Sequence, residues 1–195
     1  IRPLLWKNGW PVAGEVFKEG TYEIESERRG YALELAVDFV RMEYTRHRFW
    51  EKDDTPVVPL KSQTLKDVIE TWPQGKINVR IGDYMFRPHQ KWTITAVPDG
   101  GGYLGGPYYK IVIEGTNRAL AATADAEVVT VPEFTGAPEQ LWQIDQLTDG
   151  TYRIMPKEVP GTDKELVLVS VGDSTPSLGE FDMNSDNSKW NFRNH

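Results

Sequence analysis

Apolar residues along this chain come in short bursts that alternate with polar ones, and Gly, Pro and polar turns separate the bursts. That alternation is the period of a strand with one buried face, and the spacing of the turns implies many short strands. Strands are predicted at 20–24, 32–40, 76–81, 92–97, 109–114, 127–131, 141–144, 151–155, 165–171 and 189–192. One window has a different period. From Ser62 to Trp72, Leu65, Val68, Ile69 and Trp72 recur at helical spacing, Ser62 or Thr64 can cap the start, and Pro73 stops it. The expected class is all-β with one short helix.

The bursts also repeat on a longer scale. Gly20-Thr21-Tyr22-Glu23-Ile24, Tyr108-Tyr109-Lys110-Ile111 and Gly150-Thr151-Tyr152-Arg153-Ile154 open three similar segments. Each leads to a second apolar run, Ala32 to Leu35, Ala119 to Ala122 and Glu165 to Leu168. Each segment closes alike, with Gln90-Lys91-Trp92, Gln140-Leu141-Trp142 and Ser188-Lys189-Trp190. Self-similarity in register at both ends marks a repeat architecture.

These segments resemble the Gln-x-Trp repeats of ricin-B-type β-trefoils, a group that includes family 13 carbohydrate-binding modules. The resemblance implies a β-trefoil with repeats at about 20–97, 106–147 and 149–193, forming a domain over 20–195. Trp92, Trp142 and Trp190 are then core residues. A buried indole contributes a large apolar area while its N–H still needs a partner, which the Gln of the motif can help organise. Repeat one is far longer than the others, so an insertion with the short helix is expected around Asp53 to Gly75. The Gly-rich run from Pro98 to Pro107 reads as a linker between repeats.

Residues 1–19 stand outside the repeats and read as an extension or a linker from a preceding domain. Arg2-Pro3-Leu4-Leu5-Trp6 and Asn8-Gly9-Trp10-Pro11-Val12 resemble the segment with which family 43 glycoside hydrolases leave their catalytic propeller. The resemblance implies an upstream catalytic domain acting on arabinan or xylan, with this chain as its C-terminal module. The other reading is an amphipathic tail whose Trp6, Trp10 and Phe17 pack on the trefoil. The chain begins Ile1-Arg2-Pro3, which suits a processed chain or a piece of something larger.

Composition narrows the chemistry. With 29 acids, 22 bases and a net charge of -7, the chain repels a phosphate backbone, so nucleic acid is a poor partner. No apolar run approaches the roughly 20 residues that span a bilayer. With no cysteine, disulfides and thiolate zinc sites are excluded. His47, His89 and His195 have no metal-ligand spacing, and no cofactor motif is found. Gly172-Asp173-Ser174 fits a turn better than a nucleophile block. Asp182 to Asn187 starts like a calcium loop, but has Asn at the sixth position and Arg193 at the twelfth. It reads as a hairpin turn. No carboxylate pair takes acid and base roles, so the chain itself is not expected to be an enzyme.

Sugar binding needs an aromatic platform and carboxylates or amides for the hydroxyls. The ricin-B resemblance implies an Asp after the Leu of the second run and an aromatic some way on. Repeat one has Glu34 after Leu33, then Tyr44, Phe49 and Trp50; repeats two and three have Ala121 after Leu120 and Val167 after Leu166. Glu34, Tyr44 and Trp50 are therefore the candidate carbohydrate-binding residues, the alternative for Glu34 being a solvent-facing strand residue. The function expected is a non-catalytic, carbohydrate-binding module of a secreted, periplasmic or cell-surface polysaccharide hydrolase. Its partners would be a plant polysaccharide or oligosaccharide and an upstream propeller. A purely structural support domain and a β-trefoil protease inhibitor are the competing expectations.

Overall fold

A computed structural model describes the chain except for residues 1–3, 8, 15, 29–30, 38–64, 86, 104–105, 173 and 195. Tyr44, Phe49 and Trp50, with the predicted insertion up to residue 64, lie outside the described residues.

Six strands close a barrel: β3 (Gly20–Ser26), β6 (Trp92–Tyr103), β7 (Gly106–Ile113), β10 (Trp142–Gln146), β11 (Tyr152–Pro156) and β14 (Trp190–Asn194). Each pairs antiparallel with the next, and β14 returns to β3 through Trp190↔Ser26 to Asn194↔Tyr22. Closure leaves no barrel edge unpaired, the usual liability of an open sheet. Three hairpins cap one end: β4 (Ala32–Leu35) with β5 (Ile77–Gly82), β8 (Ala119–Ala122) with β9 (Val128–Val131), and β12 (Val167–Val171) with β13 (Thr175–Gly179). The hairpins meet in a triangle. β5 pairs with β9 at Ile77↔Thr130, Glu127 bridges Ser177, and the Ile81 N–H donates to the Ser174 carbonyl at 2.8 Å. The chain is a β-trefoil of three four-stranded repeats.

The repeat signature has a physical explanation. Tyr22 pairs with Trp92, Tyr109 with Trp142 and Tyr152 with Trp190, so each repeat's first strand meets its own fourth. All three indoles are completely buried. Their N–H groups donate to the carbonyls of Leu33 (2.8 Å), Leu120 (3.0 Å) and Leu168 (2.8 Å), which ties barrel to cap three times. An unpaired buried N–H would cost about 1–3 kcal/mol, so the tryptophan and the second strand require each other. The motif's Gln has a separate task. Gln90 and Gln140 accept from the backbone N–H of Met85 and Thr135, and Ser188 donates to the Asp182 carbonyl. Each pins the loop that enters the last strand.

These contacts reset one alignment. Leu168 is the counterpart of Leu33 and Leu120, so the residue matching Glu34 in repeat three is Val169 and not Val167. Leu166, just before β12, and Leu168 within it are two residues apart in the sequence, and a period of two cannot choose between them.

Three further elements add detail. The Gly-rich stretch joins repeat one to repeat two within strands: β6 runs on through a register shift between Val97 and Gly102, and Gly102 and Tyr103 pair with Pro107 and Gly106 of β7. Asp182 to Asn187 form no hairpin; Asp182 accepts from the Asn184 N–H and leads into a 3-10 turn at Asp186–Ser188. The described helix α1 (Leu65–Glu70) falls inside the predicted window, and Trp72 just beyond it is buried in the core. Arg118 clamps this segment by donating to the carbonyls of Gly75 and Pro73 at 2.7 and 2.8 Å. Among the described residues no helix is long and apolar enough to cross a membrane.

The extension folds as well. β1 (Leu4–Lys7) and β2 (Trp10–Ala13) form a hairpin with Gly9 at φ 80° just before β2, a left-handed conformation that glycine takes without steric cost. Val12 is buried, Trp10 meets Phe181 edge-on at 5.1 Å, and Trp6 remains 64% exposed. Phe17 then enters the open end of the barrel. Its ring lies 4.6–5.8 Å from those of Phe192, Tyr22, Tyr152 and Tyr109, the tyrosines coming one from each repeat. The Tyr109 hydroxyl donates to the Phe17 carbonyl at 2.8 Å, and burial pushes that phenol up to about 12.

Candidate functional site

Glu34 lies mid-strand on β4, opposite Arg80 on β5. It does not face solvent: the residue is 2% exposed. One carboxylate oxygen accepts from Arg80 Nε at 2.5 Å, and the other accepts from Gln90 Nε2 at 2.6 Å. The buried His89 places its Nε2 3.2 Å from that second oxygen. Gly82 makes room for the group, since a Cβ there would stand 2.8 Å from Oε1. Repeat one thus carries a polar knot where the others carry Ala121 and Val169.

Burial alone would raise the Glu34 pKa, but the hydrogen bonds from His89, Arg80 and Gln90 outweigh it, and the carboxyl is held below its ordinary value. A depressed folded pKa stabilises the protein above the unfolded value, and the contribution is lost as pH falls through the folded one. The stability gap between the parent protein and Glu34→Gln is therefore expected to be widest near neutrality and to shrink towards pH 3. Urea unfolding of both proteins across that range measures it; a gap independent of pH would contradict the assignment.

A ligand approaching Glu34 directly would have to displace the bond from Arg80 or Gln90. The knot's chemistry is that of a held anion, with Arg80, Gln90 and His89 already placed on its two oxygens. The sequence marks Gln90 as a repeat residue and His89 as one of three scattered histidines; nothing in it marks Arg80, whose partner Glu34 lies 46 residues away.

A second buried pair lies on the barrel wall. Arg153 on β11 donates to Asp145 on β10 at 2.8 Å, Gln143 donates to the same oxygen, and all three residues are at most 5% exposed. The guanidinium also rests 5.2 Å from the Phe181 ring centre, the ring that meets Trp10 of the extension. Among the described residues no group of three His, Cys, Asp or Glu side chains is placed to hold a metal ion.

The geometry has counterparts among solved structures. A mosquitocidal holotoxin matches over 92% of this chain and 18% of its own, at 14% identity and a TM-score of 0.61. A Polyporus squamosus lectin bound to Neu5Aca2-6Galb1-4GlcNAc matches over 92% and 50%, at 16% identity and a TM-score of 0.58. The exo-beta-1,3-galactanase 1,3Gal43A from Clostridium thermocellum matches over 91% and 31%, at 16% identity and a TM-score of 0.55. This chain therefore spans at most half the length of each, and at such identities the likeness is one of fold. No curated protein matches the chain in sequence. The chain is a β-trefoil, and its residues 88–176 match the model of the ricin-type beta-trefoil lectin domain-like family.

Proposed function

We propose that the chain is a non-catalytic carbohydrate-binding module, the accessory part of a secreted or cell-surface polysaccharide hydrolase of the arabinan or xylan class. The observation that carries this reading is the ricin-type lectin-like match over residues 88–176, which runs through the second Gln-x-Trp motif and into the third repeat. Support for the hydrolase half comes from the Trp6 to Val12 segment, which resembles a family 43 propeller exit, and from the trefoil shared with a galactanase. The subsite of this reading is repeat one, with Glu34, Tyr44 and Trp50.

A purely structural role is the second reading. It is favoured by Ala121 and Val169 at the positions that match Glu34, and by the bonds that already occupy the Glu34 carboxylate. Calorimetric titration of the chain with arabinotriose and xylotriose separates the two. Saturable heat that weakens in Trp50→Ala is the expected result, with no new reducing ends released from either sugar. Absence of heat from both sugars would leave the structural role in its place.

A further inference from the structure

Repeat three breaks the threefold rule at one place. Between β11 and β12 it has ten residues, 157–166, where the other repeats have five, 27–31 and 114–118. The added length is held firmly. Val159 and Leu166 are buried, and the Thr162 N–H donates to the Val159 carbonyl at 3.2 Å across Pro160-Gly161. Gly161 has φ 80°, and Pro followed by a positive-φ Gly is the chemistry of a type II turn. Opposite stands the β6–β7 hairpin. Lys157 crosses to it, its Nζ donating to the Gly100 carbonyl at 2.6 Å and lying 5.1 Å from the Tyr108 ring centre.

Loop and hairpin border a half-open, mainly polar cleft of about 500 Å³. Tyr108 and Met155 give it apolar surface, and Glu158, Asp163 and Glu165 line it with carboxylates. Among the described residues the Glu158 and Asp163 side chains enter no hydrogen bond or ion pair. The lining carries three carboxylates against Lys157 and Lys164, and burial first, then the charges of Glu165 and Asp145, raise the Tyr108 phenol above its ordinary value. Of the two lysines on the lining, Lys164 faces Glu180 at 4.0 Å.

We propose that this cleft in repeat three binds a neutral oligosaccharide, with the Tyr108 ring as platform and Glu158 and Asp163 accepting sugar hydroxyls. The inference rests on the carbohydrate-binding reading above but uses none of the repeat-one residues. A ring beside open carboxylates meets both the apolar face and the hydroxyl fringe of a sugar. The excess of carboxylates repels uronates and sialylated glycans. The turn at Pro160-Gly161 fixes the wall beforehand, so little ordering cost falls on binding.

Amide chemical-shift mapping of the labelled chain tests this with arabinotriose, xylotriose and, as an anionic probe, trigalacturonate. Shifts from a neutral trisaccharide are expected to cluster at 157–165 and Tyr108, and Tyr108→Ala is expected to weaken binding about tenfold. The pair Glu158→Gln and Asp163→Asn gives the same loss without touching a barrel strand. Trigalacturonate is expected to leave these amides unmoved; equal binding of it would overturn the neutral specificity. Trisaccharide shifts elsewhere, unaffected by these variants, would overturn the cleft and leave the carbohydrate reading standing. No shifts with any probe would overturn both.

Discussion

Replacing Phe17 by Ala is expected to lower the unfolding free energy by about 3–5 kcal/mol, the range for an aromatic removed from a packed core. The ring is 9% exposed and sits among Tyr22, Tyr109, Tyr152 and Phe192, where the barrel has no hairpin cap. Urea denaturation gives the value. A chain that begins at Gly20 should suffer at least as much, since it also deprives the Tyr109 and Tyr22 hydroxyls of the Phe17 and Lys18 carbonyls. A loss below about 1 kcal/mol in Phe17→Ala would mean that the extension only leans on the trefoil.

The second large effect is expected at the wall pair. Asp145→Ala leaves the Arg153 guanidinium 3% exposed without its counter-charge, and breaking a buried pair from one side costs about 3–5 kcal/mol. Desolvation works against the pair itself, so the double variant Asp145→Leu, Arg153→Met should recover most of that loss. A double-mutant cycle read by urea unfolding isolates the coupling. Additive losses from the two single variants would show that the charges do not depend on one another. The Phe181 ring over Arg153 also touches Trp10, so the cycle should be coupled to changes in the β1–β2 hairpin.

Much of the trefoil was legible because its demands fall on particular residue types. Three indoles, each needing a carbonyl on its own repeat's second strand, leave a recurring Trp and a Leu run in the sequence. What stayed hidden has equally specific reasons. β13 (TPSLG) has Leu178 and Pro176 as its only apolar side chains, so alternation barely marks it. Residues 1–19 read as an extension or a linker, and of the tail aromatics Trp10 and Phe17 do pack on the trefoil. The pairing of β1 with β2 is hard to foresee because a tail's partners lie far along the chain. Leu166 and Leu168 could not be ranked until their carbonyls were seen. Of the candidate site, Glu34 was visible as an acid among apolar neighbours. Its burial was not, since Arg80 and Gln90 reach it from 46 and 56 residues away. The repeat-three loop left one readable sign: twice the usual spacing between apolar runs, with Pro160-Gly161 inside it.

The ring of six strands is completed by its first and last members, through Trp190↔Ser26 and the pairs beyond. A chain emerging from the ribosome therefore holds β3 without its final neighbour until nearly all of the domain has been made. Strand pairings of such long range form slowly, and an unfinished barrel shows a bare edge to any chain nearby. Soluble yield in the cell should be limited by this late closure, and agents that shield nascent strands should raise it more than agents that stabilise the finished fold.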